Sequence, residues 1–78
     1  MNTFERLIKV FNTVFEDEIS TADLKESASL REDMGINSIG MLYMAIALEE
    51  EFGIKFTNED LQSLNTVADV IGCIEGKL

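Results

Sequence analysis

The first fifteen residues of the chain place apolar side chains at the spacing of one helical face. Their positions follow i, i+3, i+4, i+7 and i+11, which is typical of an amphipathic helix with one buried stripe. This stripe consists of Phe4, Leu7, Ile8, Phe11 and Phe15. Asn2 with Glu5 three residues later resembles a capping box, and the acidic cluster at 16–18 is unfavourable at the negative end of a helix dipole. The pattern therefore predicts a helix that begins near Asn2 and ends at about residues 16–18.

A long connection over residues 17–37 separates this helix from the next one. We expect Leu24 and Leu30 to anchor the connection in the core. A connection of this length in a compact domain is usually functional. The second helix is predicted over about Ser38–Phe52, where Gly53 ends it.

Two shorter helices are predicted in the last third of the chain. The third helix covers 58–63 with Thr57 as its cap, and the fourth covers 66–75 with Asn65 or Thr66 as its cap. The apolar face of the fourth helix consists of Val67, Val70, Ile71 and Ile74. The predicted fold class is therefore all-α: a four-helix bundle of three main helices and a short third helix, with a long loop between helices one and two.

The second helix is apolar on two faces. At about 100° per residue, its apolar side chains fall into two stripes. The first stripe consists of Met41, Met44, Ala45, Leu48 and Phe52, and the second of Ile39, Leu42, Tyr43 and Ile46. A small bundle can bury one stripe against its other helices, and a large side chain left in water forgoes roughly 1.5–3 kcal/mol relative to burial. Either the loop over 17–37 covers the second stripe, or this stripe is a docking surface in which Tyr43 is exposed and functional.

Acidic residues flank the second stripe at both ends. Glu32 and Asp33 precede it, and Glu49, Glu50 and Glu51 follow it, with no Lys or Arg between Glu32 and Ile54. The docking interpretation therefore predicts an apolar centre with an acidic rim whose charge is uncompensated. Charge on such a rim tunes the association rate and the choice of partner more than the affinity.

The length and net charge of the chain limit the number of domains and the kinds of partner. The chain has 78 residues, enough for one domain over 1–78 with a small core. Its net charge of −9 argues against nucleic acid and anionic membranes as partners and favours basic patches on proteins; the alternative is that the acidity serves solubility alone. No apolar stretch has the length of a membrane span, and the start lacks a signal-peptide pattern. We expect a cytoplasmic monomer.

The chain carries few groups suited to catalysis. It has no histidine, so the usual general base and the commonest metal ligand are absent. Its single cysteine excludes an internal disulfide, and the neighbours of Cys73 indicate a partly buried, inert thiol. We therefore expect no catalytic residues, no metal site and no enzymatic activity.

Ser38 stands at the head of the second helix, and three roles compete for it. It could cap the helix, but Asn37 is an equally good cap one residue earlier. It could be a nucleophile, but no activating base is evident in the sequence. It could instead be the acceptor of a group added by another enzyme. A phosphate-linked group fits this position, because a helix N-terminus favours anions.

The stretch SLREDMGINSIGMLYMAIALEEEF over 29–52 resembles the attachment region of acyl carrier proteins. In that family a Leu or Phe is followed by an acidic pair, a hydrophobic residue, Gly, any residue, Asp-Ser-Leu, and a helix that ends in Leu-Glu-Glu-Glu-Phe. The matching positions here are Leu30, Glu32, Asp33, Met34, Gly35, Ser38, Ile39 and Leu48 to Phe52. Residues 54–71 resemble the family's third helix and the start of its last, so the resemblance spans nearly the whole chain.

The resemblance implies that a phosphopantetheinyl transferase converts Ser38, using coenzyme A, into a 4′-phosphopantetheine phosphodiester. The thiol of this arm would carry acyl groups as thioesters. The chain would be a free-standing acyl carrier protein that serves fatty-acid or polyketide-type synthase enzymes. The alternatives are a peptidyl or aminoacyl carrier of a specialised pathway and an acidic helical adaptor that is never modified.

The resemblance also makes the second helix the docking element for the transferase, for acyl transferases and for synthase enzymes, all expected to present basic patches. The predicted docking residues are Asp33, Asn37, Ile39, Leu42, Tyr43, Ile46, Glu49 and Glu50. The growing acyl chain would be shielded between the second and third helices, near Ile46, Phe56 and Leu61.

Three positions depart from the family pattern. The residue before the serine is usually Asp and is Asn37 here, which keeps the capping oxygen but removes a charge. Two positions that are often acidic or polar in fatty-acid carriers are Gly40 and Tyr43. The front half of the docking helix is therefore less charged than is typical. This makes a specialised polyketide, lipid or aminoacyl pathway an alternative to housekeeping fatty-acid synthesis.

Overall fold

The computed structural model describes residues 2–15 and 25–78 of the chain. In chain order, its helices are α1 (Thr3–Phe15), α2 (Ser38–Phe52), α3 (Asn58–Ser63) and α4 (Val67–Lys77). Within these two ranges there is no β-strand, only an isolated antiparallel bridge between Ser29 and Thr66. The prediction of an all-α bundle with a short third helix is confirmed.

The buried face of α1 differs from the predicted stripe, because Phe4, Ile8 and Phe15 are only partly buried. Leu7 and Phe11 are fully buried as expected, but Val10, which the stripe omitted, is also only 7% exposed. Val10 is buried because α1 packs against both α2 and α4. At the start of the helix, the backbone N–H of Glu5 donates to Oδ1 of Asn2 over 2.8 Å, which fits the predicted cap.

Local capping signals set both ends of α2 where the sequence predicted them. Asn37 has an extended backbone, and its side-chain oxygen accepts a hydrogen bond from the N–H of Gly40. At the other end, Gly53 adopts the left-handed conformation with φ of 66°, and its N–H donates to the carbonyl of Glu49. Glycine adopts this conformation without the steric penalty of a Cβ, so Gly53 ends the helix.

The helices α3 and α4 both begin with complete capping boxes. Thr57 pairs with Asp60 at α3, and Thr66 pairs with Asp69 at α4. Thr66 is thus the cap of α4, one of the two candidates. The helix continues two residues beyond the predicted end at 75, and this extension brings the ammonium of Lys77 within 2.8 Å of the Asp60 carboxylate.

The described part of the long loop, residues 25–37, packs toward α4. Leu30 is fully buried, as predicted, and its N–H donates to the carbonyl of Asn65 over 2.9 Å. The N–H of Val67 donates in turn to the carbonyl of Ala28 over 3.1 Å. Residues 25–37 are therefore fixed to the corner between α3 and α4. The acidic cluster at 16–18 and Leu24 lie outside the described residues.

Among the residues that the structure describes, none of the helices combines the length and the apolar character needed to cross a bilayer.

Candidate functional site

Ser38 is the first residue of α2, and its side chain is exposed. The capping role belongs to its neighbour: Oδ1 of Asn37 accepts from the N–H of Gly40 over 2.8 Å, and the Asn37 carbonyl accepts from the N–H of Met41 over 2.9 Å. Within the described part of the chain, the Ser38 hydroxyl has no hydrogen-bond partner. This hydroxyl is therefore free for chemistry at the surface.

The segment before Ser38 is held rigidly at the base of the helix. Met34 and Ile36 are buried, and the N–H of Ile36 donates to the carbonyl of Leu30 over 2.9 Å. Between them, Gly35 has φ of 69°, a left-handed conformation that favours glycine. The chain thus enters α2 along a fixed path, and Ser38 is presented outward at a defined position.

The start of α2 is suited to a bound phosphate. The backbone N–H groups of Ser38 and Ile39 have no acceptor among the residues described, and the first turn of α2 contains no acidic side chain. Free N–H groups and the positive end of the helix dipole favour an anion here. An exposed hydroxyl in this setting fits a phosphodiester.

The described part of the chain offers few groups for metal binding or thiol chemistry. It contains no group of three or more His, Cys, Asp or Glu residues able to hold a metal ion. Cys73 is partly buried, as predicted. Burial first, and then the nearby negative charge of Asp60, raise the pKa of the Cys73 thiol, so the thiol stays protonated at neutral pH.

The second apolar stripe of α2 is exposed. Its side chains retain more than half of their accessible surface: Ile39 63%, Leu42 55%, Tyr43 62% and Ile46 56%. The loop residues 25–37 do not cover them, because this part of the loop packs toward α4. We refer to these four side chains as the exposed apolar face. The first stripe, in contrast, is buried throughout.

The predicted acidic rim is only partly available to a partner. The Asp33 carboxylate accepts from the N–H of Ser29 over 2.7 Å and closes a turn of the loop. The Glu49 carboxylate accepts from the N–H of Phe56 over 2.8 Å and fixes the connection between α2 and α3. These two carboxylates therefore support the fold in addition to any role in docking.

The expectation that the rim carries uncompensated acid is wrong for Glu51. The Arg6 guanidinium of α1 lies 2.9 Å from the Glu51 carboxylate and donates also to the Glu51 carbonyl over 2.8 Å. The same guanidinium lies 4.3 Å above the ring centre of Phe52. Arg6 is distant in sequence, so a count of charges along α2 missed it. Among the described rim residues, Glu32 and Glu50 have exposed carboxylates without a partner.

A groove that the sequence analysis missed lies between the end of α1 and the start of α2. Its volume is about 360 Å³. The lining residues are Val14, Phe15, Met34, Gly35, Ile36, Asn37, Ile39, Gly40 and Tyr43. A Cβ on Gly40 would lie 3.0 Å from Cγ2 of Ile36 and 3.5 Å from Cε1 of Phe15, so a larger residue at this position would displace the Ile36 side chain. A glycine inside a helix was the signal that could have indicated it.

The predicted acyl shelter between α2 and α3 remains a prediction. Phe56 and Leu61 are partly buried against the core, whereas Ile46 is exposed. A shallow depression beside Ile46 is lined instead by residues from the end of α2 and the following turn, including Glu50 and Lys55.

Comparison with known proteins identifies the family. The family described as "Phosphopantetheine attachment site" matches residues 5–74. The acyl carrier protein of Thermosynechococcus vestitus is 36% identical over 80 residues, covering 100% of this chain and 98% of the relative. That of Nitratidesulfovibrio vulgaris is 37% identical over 59 residues, with 76% and 78% covered, and that of Micrococcus luteus is 33% identical over 61 residues, with 78% and 75% covered. The chain belongs to the acyl carrier protein family.

Membership of this family implies an attachment point for a prosthetic group. The protein carries acyl groups on 4′-phosphopantetheine, a prosthetic group that is attached covalently. An attachment point must be exposed, and the start of α2 offers an exposed hydroxyl beside free N–H groups.

Proposed function

We propose that Ser38 is the residue that carries 4′-phosphopantetheine, and that the chain is a carrier with no catalytic activity of its own. The observation that carries this proposal is the division of roles at the start of α2. Asn37 caps the helix over 2.8 Å, while the hydroxyl of Ser38 is exposed and has no described partner. A structural serine would be expected to use its hydroxyl in the cap.

Residues around Ser38 support the attached group without taking part in its chemistry. The N–H groups of Ser38 and Ile39 and the helix dipole favour the negative charge of a phosphodiester. The Asn37 cap holds the helix terminus closed, so that the attachment point does not fray. When bound, the group supplies a thiol that holds an acyl chain as a thioester.

We propose that a phosphopantetheinyl transferase loads the chain from coenzyme A. The Ser38 oxygen forms a bond to the phosphorus next to the pantetheine, and the diphosphate bond of coenzyme A breaks. Adenosine 3′,5′-bisphosphate leaves, and the hydroxyl proton passes to a base of the transferase. We assign this base to the transferase, because the chain has no histidine and the first turn of α2 carries no acidic side chain.

Acyl transferases and synthase enzymes are the further partners that we propose. The predicted basic patches on these partners would meet the acidic rim. In this rim, the carboxylates of Glu32 and Glu50 are exposed and have no intramolecular partner among the described residues. Fatty-acid and polyketide-type synthesis are the proposed destinations. A peptidyl or aminoacyl pathway is the second candidate, because the stretch from Ser38 to Leu48 carries no charged residue.

Incubation with coenzyme A and a broad-specificity phosphopantetheinyl transferase, followed by intact mass measurement, tests the proposal. Wild type should gain the mass of one phosphopantetheine group, and Ser38→Ala should gain none. Ser27→Ala, at another exposed serine, is the matched control and should be modified like wild type. An unmodified wild type would instead support the helical adaptor that binds partners without modification.

Three further predictions from the sequence stay predictions. We propose that residues 1–78 form one acyl carrier domain, which limited proteolysis tests by the size of the protected core. Sedimentation analysis tests the expected monomer, and fractionation of native cells tests the expected cytoplasmic location.

A further inference from the structure

We propose that Asp69, in the first turn of α4, is a positioning residue for the modification of Ser38. Its carboxylate fixes the corner between α3 and α4, and this corner fixes the path of residues 28–36, which lead into Ser38. The inference rests on the proposed function, because it concerns how the Ser38 hydroxyl is presented to the transferase.

The carboxylate of Asp69 holds two successive peptide groups of the corner. Its Oδ2 accepts from the N–H of Asn65 and from the N–H of Thr66, each over 3.0 Å. The Thr66 hydroxyl accepts in return from the N–H of Asp69 over 3.2 Å. The hydrogen bonds from Thr66, and then from Asn65, lower the pKa of the Asp69 carboxyl. The carboxylate is therefore charged at neutral pH, and its hydrogen bonds are charge-assisted.

The peptide group between Asn65 and Thr66 joins this carboxylate to the segment before Ser38. Its N–H belongs to Thr66 and donates to Asp69. Its carbonyl belongs to Asn65 and accepts from the N–H of Leu30 over 2.9 Å. Hydrogen bonds at both ends of one peptide group polarise it and strengthen each other. The bond to Leu30 therefore depends on the orientation that Asp69 gives to this peptide group.

Two further backbone hydrogen bonds connect the loop to the first turn of α4. The N–H of Val67 donates to the carbonyl of Ala28 over 3.1 Å, and the N–H of Ala68 donates to the carbonyl of Glu26 over 2.8 Å. N–H groups at the start of a helix have no acceptor within the helix itself. The loop therefore satisfies the start of α4 while α4 holds the loop, and both depend on the corner that Asp69 closes.

The path from Leu30 to Ser38 is short. The N–H of Ile36 donates to the carbonyl of Leu30 over 2.9 Å, and both side chains are buried. Burial of apolar side chains is non-directional, whereas a hydrogen bond requires a defined direction. Without the bonds to the corner, the segment can stay buried and still shift along its own direction. Such a shift moves Ser38, which follows Ile36 by two residues.

The start of α3 provides a matched control. Asp60 forms a complete capping box with Thr57 there, as Asp69 does at the start of α4. Asp60 also pairs with Lys77 over 2.8 Å, so its loss removes one contact more. Within the described part of the chain, neither Thr57 nor Asp60 forms a hydrogen bond to residues 25–37. The two boxes therefore differ in their connection to the segment before Ser38.

The experiment follows the mass gain of the whole chain over time with coenzyme A and a broad-specificity phosphopantetheinyl transferase. We expect Asp69→Ala to lower kcat about fivefold, the change in population that corresponds to the loss of one cap. We expect its KM to stay within about twofold of wild type, because α2 keeps its surface and only the placement of the reacting hydroxyl is lost.

Two variants separate positioning from stability. Asp69→Asn keeps an oxygen that accepts from the same two N–H groups, so its kcat should stay within about twofold of wild type. Asp60→Ala should lower the melting temperature at least as much as Asp69→Ala, as measured by circular dichroism, and should keep the kcat of wild type. A general loss of stability cannot produce this combination.

Amide hydrogen exchange measures the same anchoring without a transferase. In Asp69→Ala, the N–H groups of Leu30 and Ile36 should exchange about fivefold faster relative to the N–H of Met44 in the middle of α2. Asp60→Ala should leave this ratio unchanged, because the N–H groups that it frees lie at the start of α3.

Three outcomes overturn the inference: a wild-type kcat for Asp69→Ala, an equal loss of kcat for Asp60→Ala, or an exchange ratio that Asp69→Ala does not change. These outcomes leave the proposed function intact, since the wild type still gains the prosthetic group at Ser38. A wild type that gains no mass is distinct from them, because it removes the proposed function and this inference together.

Discussion

The two faces of α2 consist of similar side chains but differ in their surroundings. On one face, Met44 and Leu48 are fully buried, whereas on the other Tyr43 and Ile39 retain more than 60% of their accessible surface. The difference arises because α1 and the loop residues 25–37 pack on one side of the helix only. Apolar character alone therefore does not define the core. The neighbours decide which face holds the bundle together and which is left for a partner.

A pair of leucine substitutions should give the largest contrast between these faces. Leu48 is fully buried, so Leu48→Ala should lower the free energy of unfolding by about 2–5 kcal/mol through lost burial and a new cavity. Leu42 is 55% exposed, and Leu42→Ala should change it by less than about 0.5 kcal/mol. Urea unfolding of both variants measures the difference. Similar losses for the two would mean that the exposed apolar face is covered in the folded chain.

Two substitutions at the start of α2 should likewise differ in their effect on stability, because one residue supports the fold and the other does not. Asn37→Ala removes the acceptor for the N–H of Gly40 and should destabilise the protein by about 1 kcal/mol. Ser38→Ala removes no described hydrogen bond, so its effect should stay within about 0.5 kcal/mol. Chemical denaturation provides the measurement. A larger loss for Ser38→Ala than for Asn37→Ala would assign the cap to the serine.

At the other end of α2, substitutions of two adjacent glutamates should differ in their effect on stability. Glu49→Ala leaves the N–H of Phe56 without its charged acceptor and should lower stability by roughly 0.5–1.5 kcal/mol. Glu50→Ala should be nearly neutral, because Glu50 is exposed and without a partner in the described chain. Thermal unfolding at neutral pH distinguishes the two. Equal melting temperatures would show that the bond between Glu49 and Phe56 adds little to stability.

Removal of the ion pair between Asp60 of α3 and Lys77 of α4 should have the smallest effect on stability. This effect is recognisable because it depends on pH. The hydrogen bond from Lys77, with help from the Thr57 N–H, lowers the Asp60 pKa from 3.8 to about 2. The pKa of the Lys77 ammonium is raised above 10.5 by the same hydrogen bond. A lowered carboxylate pKa stabilises the fold above pH 3.8 and loses this effect as the pH falls toward 2.

The melting temperatures of wild type and Asp60→Asn should therefore differ at neutral pH and converge near pH 2. Lys77→Gln is the matched variant that removes the ion pair but keeps the capping box at Thr57. Its difference from wild type should be smaller than that of Asp60→Asn and should disappear in the same acidic range. A difference that does not change with pH would contradict the assignment of the stabilisation to the Asp60 charge.

Features that depend on neighbouring residues in sequence were predictable. The ends of α2 and α3 follow from Asn37, Gly53 and Thr57, because a cap is formed by residues within one turn of the helix end. The exposure of the second stripe was one of two alternatives that the sequence left open, because a small bundle can bury only one stripe against its other helices. The sequence also allowed a free Ser38 hydroxyl, because Asn37 is an equally good cap beside it.

Features that join distant parts of the chain were not predictable in the same way. Arg6 reaches Glu51 across the contact between α1 and α2, and Val10 is buried because α1 meets a second helix. The groove at Gly40 requires Phe15 from the end of α1. A pattern along one helix contains no information on the distance to another helix, so packing geometry decides these three.

The central claim is that Ser38 is the residue to which 4′-phosphopantetheine is attached. Its most direct test is fragmentation mass spectrometry of the chain purified from its native cells, which locates any added group to a residue. The account predicts phosphopantetheine, with or without an acyl group, on the residue-38 oxygen. An unmodified chain, or the group on any other residue, would contradict it.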